Sequence, residues 1–162
     1  MDGAFWPRRE DRVEDLSLHI LDVVENSLRG NARSIEISLD QEGDLLTLEI
    51  KDDGIGMAPE DCTRAADPFF TTKPGARIGM GLALLEQAAR EAEGDFRVCS
   101  APGAGTTVTA SFRWSHPDRR PLGDLPATLE TLVTAHPEVD FVYRECLEGE
   151  TTRFDAREVR QK

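Results

Sequence analysis

Apolar positions recur along this chain in two rhythms, one helical and one alternating. From about Glu14 to Arg29 they fall at Leu16, Ile20, Val23, Val24 and Leu28, the spacing of a helix with one buried stripe. Gly30-Asn31 ends that helix. Ser34 to Leu39 then alternates, and so does Leu45 to Asp52, with Gln41-Glu42-Gly43-Asp44 as the turn of a hairpin between two strands. Pro59 to Ala66 reads as a short helix, closed by Asp67-Pro68 because the residue before proline leaves the helical region. Phe69 to Arg77 has no period and reads as a loop. A second strong helix runs from Leu82 to about Ala92, with Leu82, Leu85, Ala89 and Ala92 inward and Gly94 after it. Asp95 to Ser100 and Thr106 to Phe112 are two further strands around the turn at Ala101 to Gly105.

At Ser115 the composition shifts. His116 to Pro121 reads as a linker or wrapped segment. Leu125 to Ala135 is a helix with Leu125, Leu129 and Leu132 on one face, and Val139 to Cys146 with Thr151 to Asp155 suit a hairpin. The expected organisation is a lead-in over 1–13, a main domain over 14–114 and a C-terminal appendage over 115–162.

A chain of 162 residues suffices for one domain with a real core and a small addition. The formal net charge of -12 disfavours nucleic acid and anionic membrane as partners. An anionic ligand would need local donors and a divalent cation. No apolar run has the length of a membrane span, and the charged start, with Trp6-Pro7-Arg8-Arg9, does not read as a signal sequence. The expected location is cytoplasmic. Cys62, Cys99 and Cys146 are widely spaced and form neither a disulfide framework nor a zinc pattern.

Three places carry candidate chemistry. The strand ending in Asp52-Asp53-Gly54-Ile55-Gly56-Met57 offers a fixed carboxylate and then glycines that admit a ligand close to the backbone. That suits a ring bearing an amino group, although Asp-Asp-Gly is also ordinary turn chemistry. The first helix carries His19, Asp22, Asn26 and Arg29 three and four apart, so they stack on one side. A solvated polar face is the plain alternative, but Asn26 is a poor helix former in that interior position. Gly79 and Gly81, ahead of the Leu82 helix, leave backbone N–H groups and the positive end of a helix dipole for an anion. Neither Gly-x-x-x-x-Gly-Lys-Ser/Thr nor Gly-x-Gly-x-x-Gly after a strand occurs.

In order, these pieces resemble the ATP-binding domain of the GHKL superfamily, which includes DNA gyrase, a heat-shock chaperone, the MutL repair proteins and histidine kinases. The resemblance covers about Leu16 to Phe112. Asp22 to Ala32 is similar to the N box, Asp52 to Met57 to the first glycine box, and Asp67 to Lys73 to the F box of histidine kinases. Gly79 to Leu82 is similar to the second glycine box, and Gly103 to Thr106 to the final Gly-x-Gly-Thr. The resemblance implies an α+β fold, a two-layer α/β sandwich of the Bergerat type. A mixed sheet would be covered on one face by helices, with the C-terminal helix and hairpin added.

It implies ATP and Mg2+ as ligands. Asn26 would bind magnesium, a hard cation that takes oxygen donors, and Arg29 would reach a phosphate or remain a surface charge. Asp52 would accept the adenine amino hydrogen, with Gly54 and Gly56 against the base and Met57 either over it or in the core. Gly79, Gly81 and Leu82 would hold phosphate. Thr106 would support the adenine site through its hydroxyl. Thr71, Thr72 and Lys73 would belong to the lid, Lys73 at a phosphate or in solvent. The superfamily's hydrolases carry a glutamate four residues before the asparagine; Asp22 stands there, one methylene shorter, as a hydrolytic base or a holder of the metal's water.

No phosphoacceptor hairpin fits before Leu16, and His19, His116 and His136 read as structural. The expected activity is therefore a regulatory kinase or ATPase acting on a partner protein in trans, an anti-sigma-type serine kinase among the options. The alternative is a non-catalytic nucleotide sensor or interaction module.

Overall fold

The computed structural model describes residues 15–57 and 80–160. The lead-in, the short helix expected at Pro59–Ala66, the loop over 69–77 and Gly79 lie outside the described residues. The first helix, α1, spans Leu16–Arg29. It starts two residues later than its periodicity indicates because Asp15 caps it, its carboxylate accepting from the Leu18 N–H at 2.9 Å. Strands β1 (Ser34–Glu42) and β2 (Leu45–Asp52) follow, then α2 (Met80–Glu91), β3 (Phe96–Ser100) and β4 (Thr106–Arg113). The chain continues with α3 (Leu125–Ala135), β5 (Asp140–Leu147), β6 (Glu150–Asp155) and a short α4 (Ala156–Arg160).

The strands form one six-stranded sheet in the order β3-β4-β2-β1-β5-β6. It is mixed: β1 and β5 run parallel, and every other neighbouring pair runs antiparallel. The register aligns apolar positions across all six strands, Val98 beside Val108, then Ile50, Ile37, Tyr143 and Phe154. Because side chains alternate along each strand, this row and its neighbours share one face. Against it pack Ile20, Val23 and Val24 of α1, Leu85 and Ala89 of α2, and Leu129 and Leu132 of α3, in one continuous core. The other face carries Glu36, Glu49, Lys51, Arg97 and Arg144, all exposed. The fold is thus an α+β two-layer arrangement with helices on one face of a mixed sheet.

The segment after residue 115 is built into this sheet. Phe141 and Tyr143 lie opposite Ile35 and Ile37 of β1 and are buried with them. The linker before α3 also completes α1: the Leu16 and Ser17 N–H groups donate to the carbonyls of Pro121 and Leu122 at 2.8 and 3.0 Å. These are two of the amides a helix leaves unpaired at its start. Arg120 reaches across to Glu91 at the end of α2.

Candidate functional site

The site grows from the C-terminal end of β2. Asp52 is half-buried there, paired across the sheet with Ile35 on one side and Thr106 on the other. Its Oδ1 accepts from the Gly54 N–H at 2.8 Å and the Thr106 N–H at 3.2 Å. Its Oδ2 accepts from the Ser27 hydroxyl at 2.6 Å. An ionised carboxylate has about four acceptor sites, so three bonds orient it and leave capacity for one more donor. Asp53 does different work. Its Oδ1 accepts the N–H groups of Arg33 and Ser34 at 2.8 and 3.0 Å and so caps the start of β1. Burial pushes the Asp53 carboxyl upward, but those amide bonds outweigh it and hold it below the usual carboxylate range.

Ser27 links this strand end to α1, and Asn26 is its immediate neighbour, half-buried. One turn earlier stands Asp22, also half-buried. Its carboxyl is raised above the ordinary value, first by burial and then by Glu25, with Arg29 opposing. The first turn of α2 abuts this point: a Cβ added at Gly81 would come 3.0 Å from the Cβ of Asp22. Asp22 thus meets the first turn of α2, and Asp52 meets α1 through Ser27, one residue from Asn26. Arg29 lies further along α1 and is exposed. Leu82 is buried in the core.

The remaining expected residues divide by what they touch. A Cβ at Gly54 would come 2.7 Å from the Gly30 carbonyl oxygen, and the Ile55 N–H donates to that same oxygen at 2.9 Å. Gly56 has a φ of 74°, which favours glycine, and a Cβ there would run into the Ala101 carbonyl. Among the described residues both glycines thus serve close backbone packing. Met57 packs its half-buried side chain against the core, and its N–H donates to Ser100 Oγ at 2.8 Å. Ser100 donates to the Gly105 carbonyl at 2.9 Å, which commits its one hydrogen. The Thr106 hydroxyl, 2.8 Å from Ser100 Oγ, is therefore the donor to it. Thr106 meets Asp52 through its backbone N–H, while its hydroxyl serves Ser100. Thr71, Thr72, Lys73 and Gly79 lie outside the described residues.

His19, read from the sequence as structural, is buried in the fold. It is 4% exposed, and neither ring nitrogen has a hydrogen-bond partner among the described residues. Sequence reasoning missed Ser27 and Ser100. Ser27 had a legible signal: it stands three, four and seven residues after Val24, Val23 and Ile20, a polar residue on the apolar stripe.

Chemically, Asp52 offers an oriented acceptor at the strand end, and Asp22 and Asn26 are half-buried oxygen-bearing side chains on α1. Among the described residues no group of three or more His, Cys, Asp or Glu is disposed to hold a metal alone. A cation there would share its ligands with a bound anion and water. No helix among the described residues is long and apolar enough to cross a membrane.

Comparison with known proteins accords with this arrangement. Residues 11–116 match the family model for histidine kinase-, DNA gyrase B-, and HSP90-like ATPases. The sensor histidine kinase YxdK of Bacillus subtilis is 32% identical over 104 residues, covering 60% of this chain and 32% of that protein. The non-motile and phage-resistance protein of Caulobacter vibrioides is 31% identical over 119 residues, covering 67% of this chain and 14% of that protein. The chain thus spans a third or less of the length of these relatives. A crystal structure of the N-terminal domain of a DNA repair protein shares the fold, with a TM-score of 0.63 at 18% identity, over 89% of this chain and 53% of that one. The chain belongs to the histidine kinase-, DNA gyrase B-, and HSP90-like ATPase family, whose model it matches over residues 11–116.

Proposed function

We propose that this domain binds Mg-ATP in the corner between α1, α2 and the end of β2, and acts as a regulatory kinase or ATPase on a partner protein. The observation that carries the reading is the anchoring of Asp52, a strand-end carboxylate oriented by three donors and joined to α1 beside Asn26. Asp52 accepts the adenine amino group. The first turn of α2, at Gly81 and Leu82 with Gly79 before it, offers N–H groups to the phosphates. Asn26 presents a carboxamide oxygen, suited to magnesium, which keeps several waters and takes one or two protein ligands alongside phosphate. When bound, the metal neutralises phosphate charge. Asp22 orients water for the metal or the reaction, and Arg29, Thr71, Thr72 and Lys73 contribute to phosphate binding. Residues 14–114 are the nucleotide-binding unit. Residues 115–162 are an extension of its sheet that meets the partner. Its place of work is the cytoplasm.

A titration with ATP, with and without magnesium, tests this. Asp52→Asn should weaken ATP by about 1–3 kcal/mol, or about 5- to 150-fold. Unchanged affinity in the variant, or no binding by the parent at millimolar nucleotide, would end this reading. A second reading, a nucleotide sensor without turnover, draws support from Asp22, a short carboxylate that burial biases toward its protonated form. Phosphate release from labelled ATP, or label transferred to a partner, rules the sensor out.

A further inference from the structure

We infer that Ser27 is a positioning residue for base recognition: its buried hydroxyl fixes the orientation of the carboxylate that selects the amino-bearing purine. This rests on the proposed nucleotide site and deepens it. Ser27 is 6% exposed, and its Oγ lies 2.6 Å from Asp52 Oδ2 but 3.4 Å from the Val23 carbonyl. Its single hydrogen therefore goes to the carboxylate rather than back into its own helix, at a length usual for a charge-assisted O–H···O⁻ bond. Asp52 Oδ1 is held by two backbone N–H groups, whereas Ser27 donates to Oδ2. Without that hydroxyl the carboxylate keeps one fixed oxygen and can turn about it. The direction of its remaining acceptor site is then no longer set.

The same bond ties the base end of the site to the helix carrying Asn26, one residue away. A shift of α1 along its axis would be felt at Asp52. Ser27 thus acts through Asp52 and touches no part of the nucleotide itself. Its effect must depend on whether the ligand has an amino group for Asp52 to receive.

That dependence gives the test. ATP and purine riboside triphosphate, which has hydrogen at position 6, are titrated against the parent, Ser27→Ala, Ser27→Thr and Asp52→Asn combined with Ser27→Ala. Alanine is the better helix former, so the first variant keeps the helix. Ser27→Ala should bind ATP about tenfold more weakly, while the 6-hydrogen analogue changes little. Ser27→Thr, which retains the hydroxyl, should keep the parent's preference. In the Asp52→Asn background, Ser27→Ala should add no further loss. Equal weakening of both ligands by Ser27→Ala, or an unchanged preference, overturns the positioning role and leaves the site reading standing. If the parent binds neither ligand, the site reading falls and this inference with it.

Discussion

His19 sits where a helix stripe meets its polar flank, and burial has claimed it. Its imidazole is held below the ordinary value of 6.5, first by burial, then by Arg120, with Asp15 pulling the other way. The sign of the consequence is fixed by the two states. Below about 6.5 the unfolded chain binds a proton at His19, and the folded chain binds it only at lower pH. Stability from this group is full above that value and is lost as pH falls through the interval beneath it. His19→Leu removes the linkage. The parent should lose more of its thermal midpoint than the variant between about pH 7 and pH 5. Parallel declines in the two proteins would show that His19 does not carry the effect. The neighbouring Asp22, which faces the proposed ligand corner, has the opposite displacement for the same first reason. Burial disfavours the charged form of each, lowering an imidazole and raising a carboxyl.

At the scale of elements, pattern and structure agree where one face is buried and the other wet. β2 runs over the residues its alternation indicates, Leu45 to Asp52, and α3 over Leu125 to Ala135. Local periodicity carries that information because each side chain's exposure repeats with the backbone. It does not carry partner choice. Nothing in the alternation of residues 139–146 says that β5 lies parallel to β1, since the pairing spans the whole intervening chain. Local pattern therefore marks residues 115–162 as a helix and a hairpin without saying which strand they join. The five-residue α4 is too short and too polar to show a period. In the candidate site, Asp52 is legible as a strand-end carboxylate, Asn26 as an odd residue inside a helix, and Ser27 as a polar break in an apolar stripe. The glycines were legible as glycines, but which backbone they approach depends on the packed loops. Integration of β5 has a measurable consequence. Phe141 is fully buried in the shared core, so Phe141→Ala should cost about 3–5 kcal/mol. Denaturant unfolding followed on the two native tryptophans should move as a single transition to lower urea. A main transition at the parent's midpoint, with only a separate minor phase displaced, would mean that the extension folds apart from the rest.

For the molecule as a whole, the governing quantity is charge. The chain has 31 acidic and 19 basic residues, and a free nucleoside triphosphate is itself strongly anionic. In the proposed site, attraction comes from close range: the start of α2, the Arg29 guanidinium and whatever cation the nucleotide carries. These act within a few ångströms, while the repulsion of the whole surface extends over the screening length, about 30 Å at 0.01 M salt and about 8 Å at 0.15 M. Added salt therefore removes the long-range repulsion first and leaves the contacts at the site largely intact. Stopped-flow association of magnesium-free ATP should accelerate as monovalent salt rises through that range, the reverse of an electrostatically steered encounter. With magnesium present the ligand carries less charge, and the acceleration should shrink. If salt instead slows association of the free nucleotide, a positive field must dominate the approach. The corner between α1 and α2 would then have to be fed by basic side chains beyond those seen around Asp22 and Asn26.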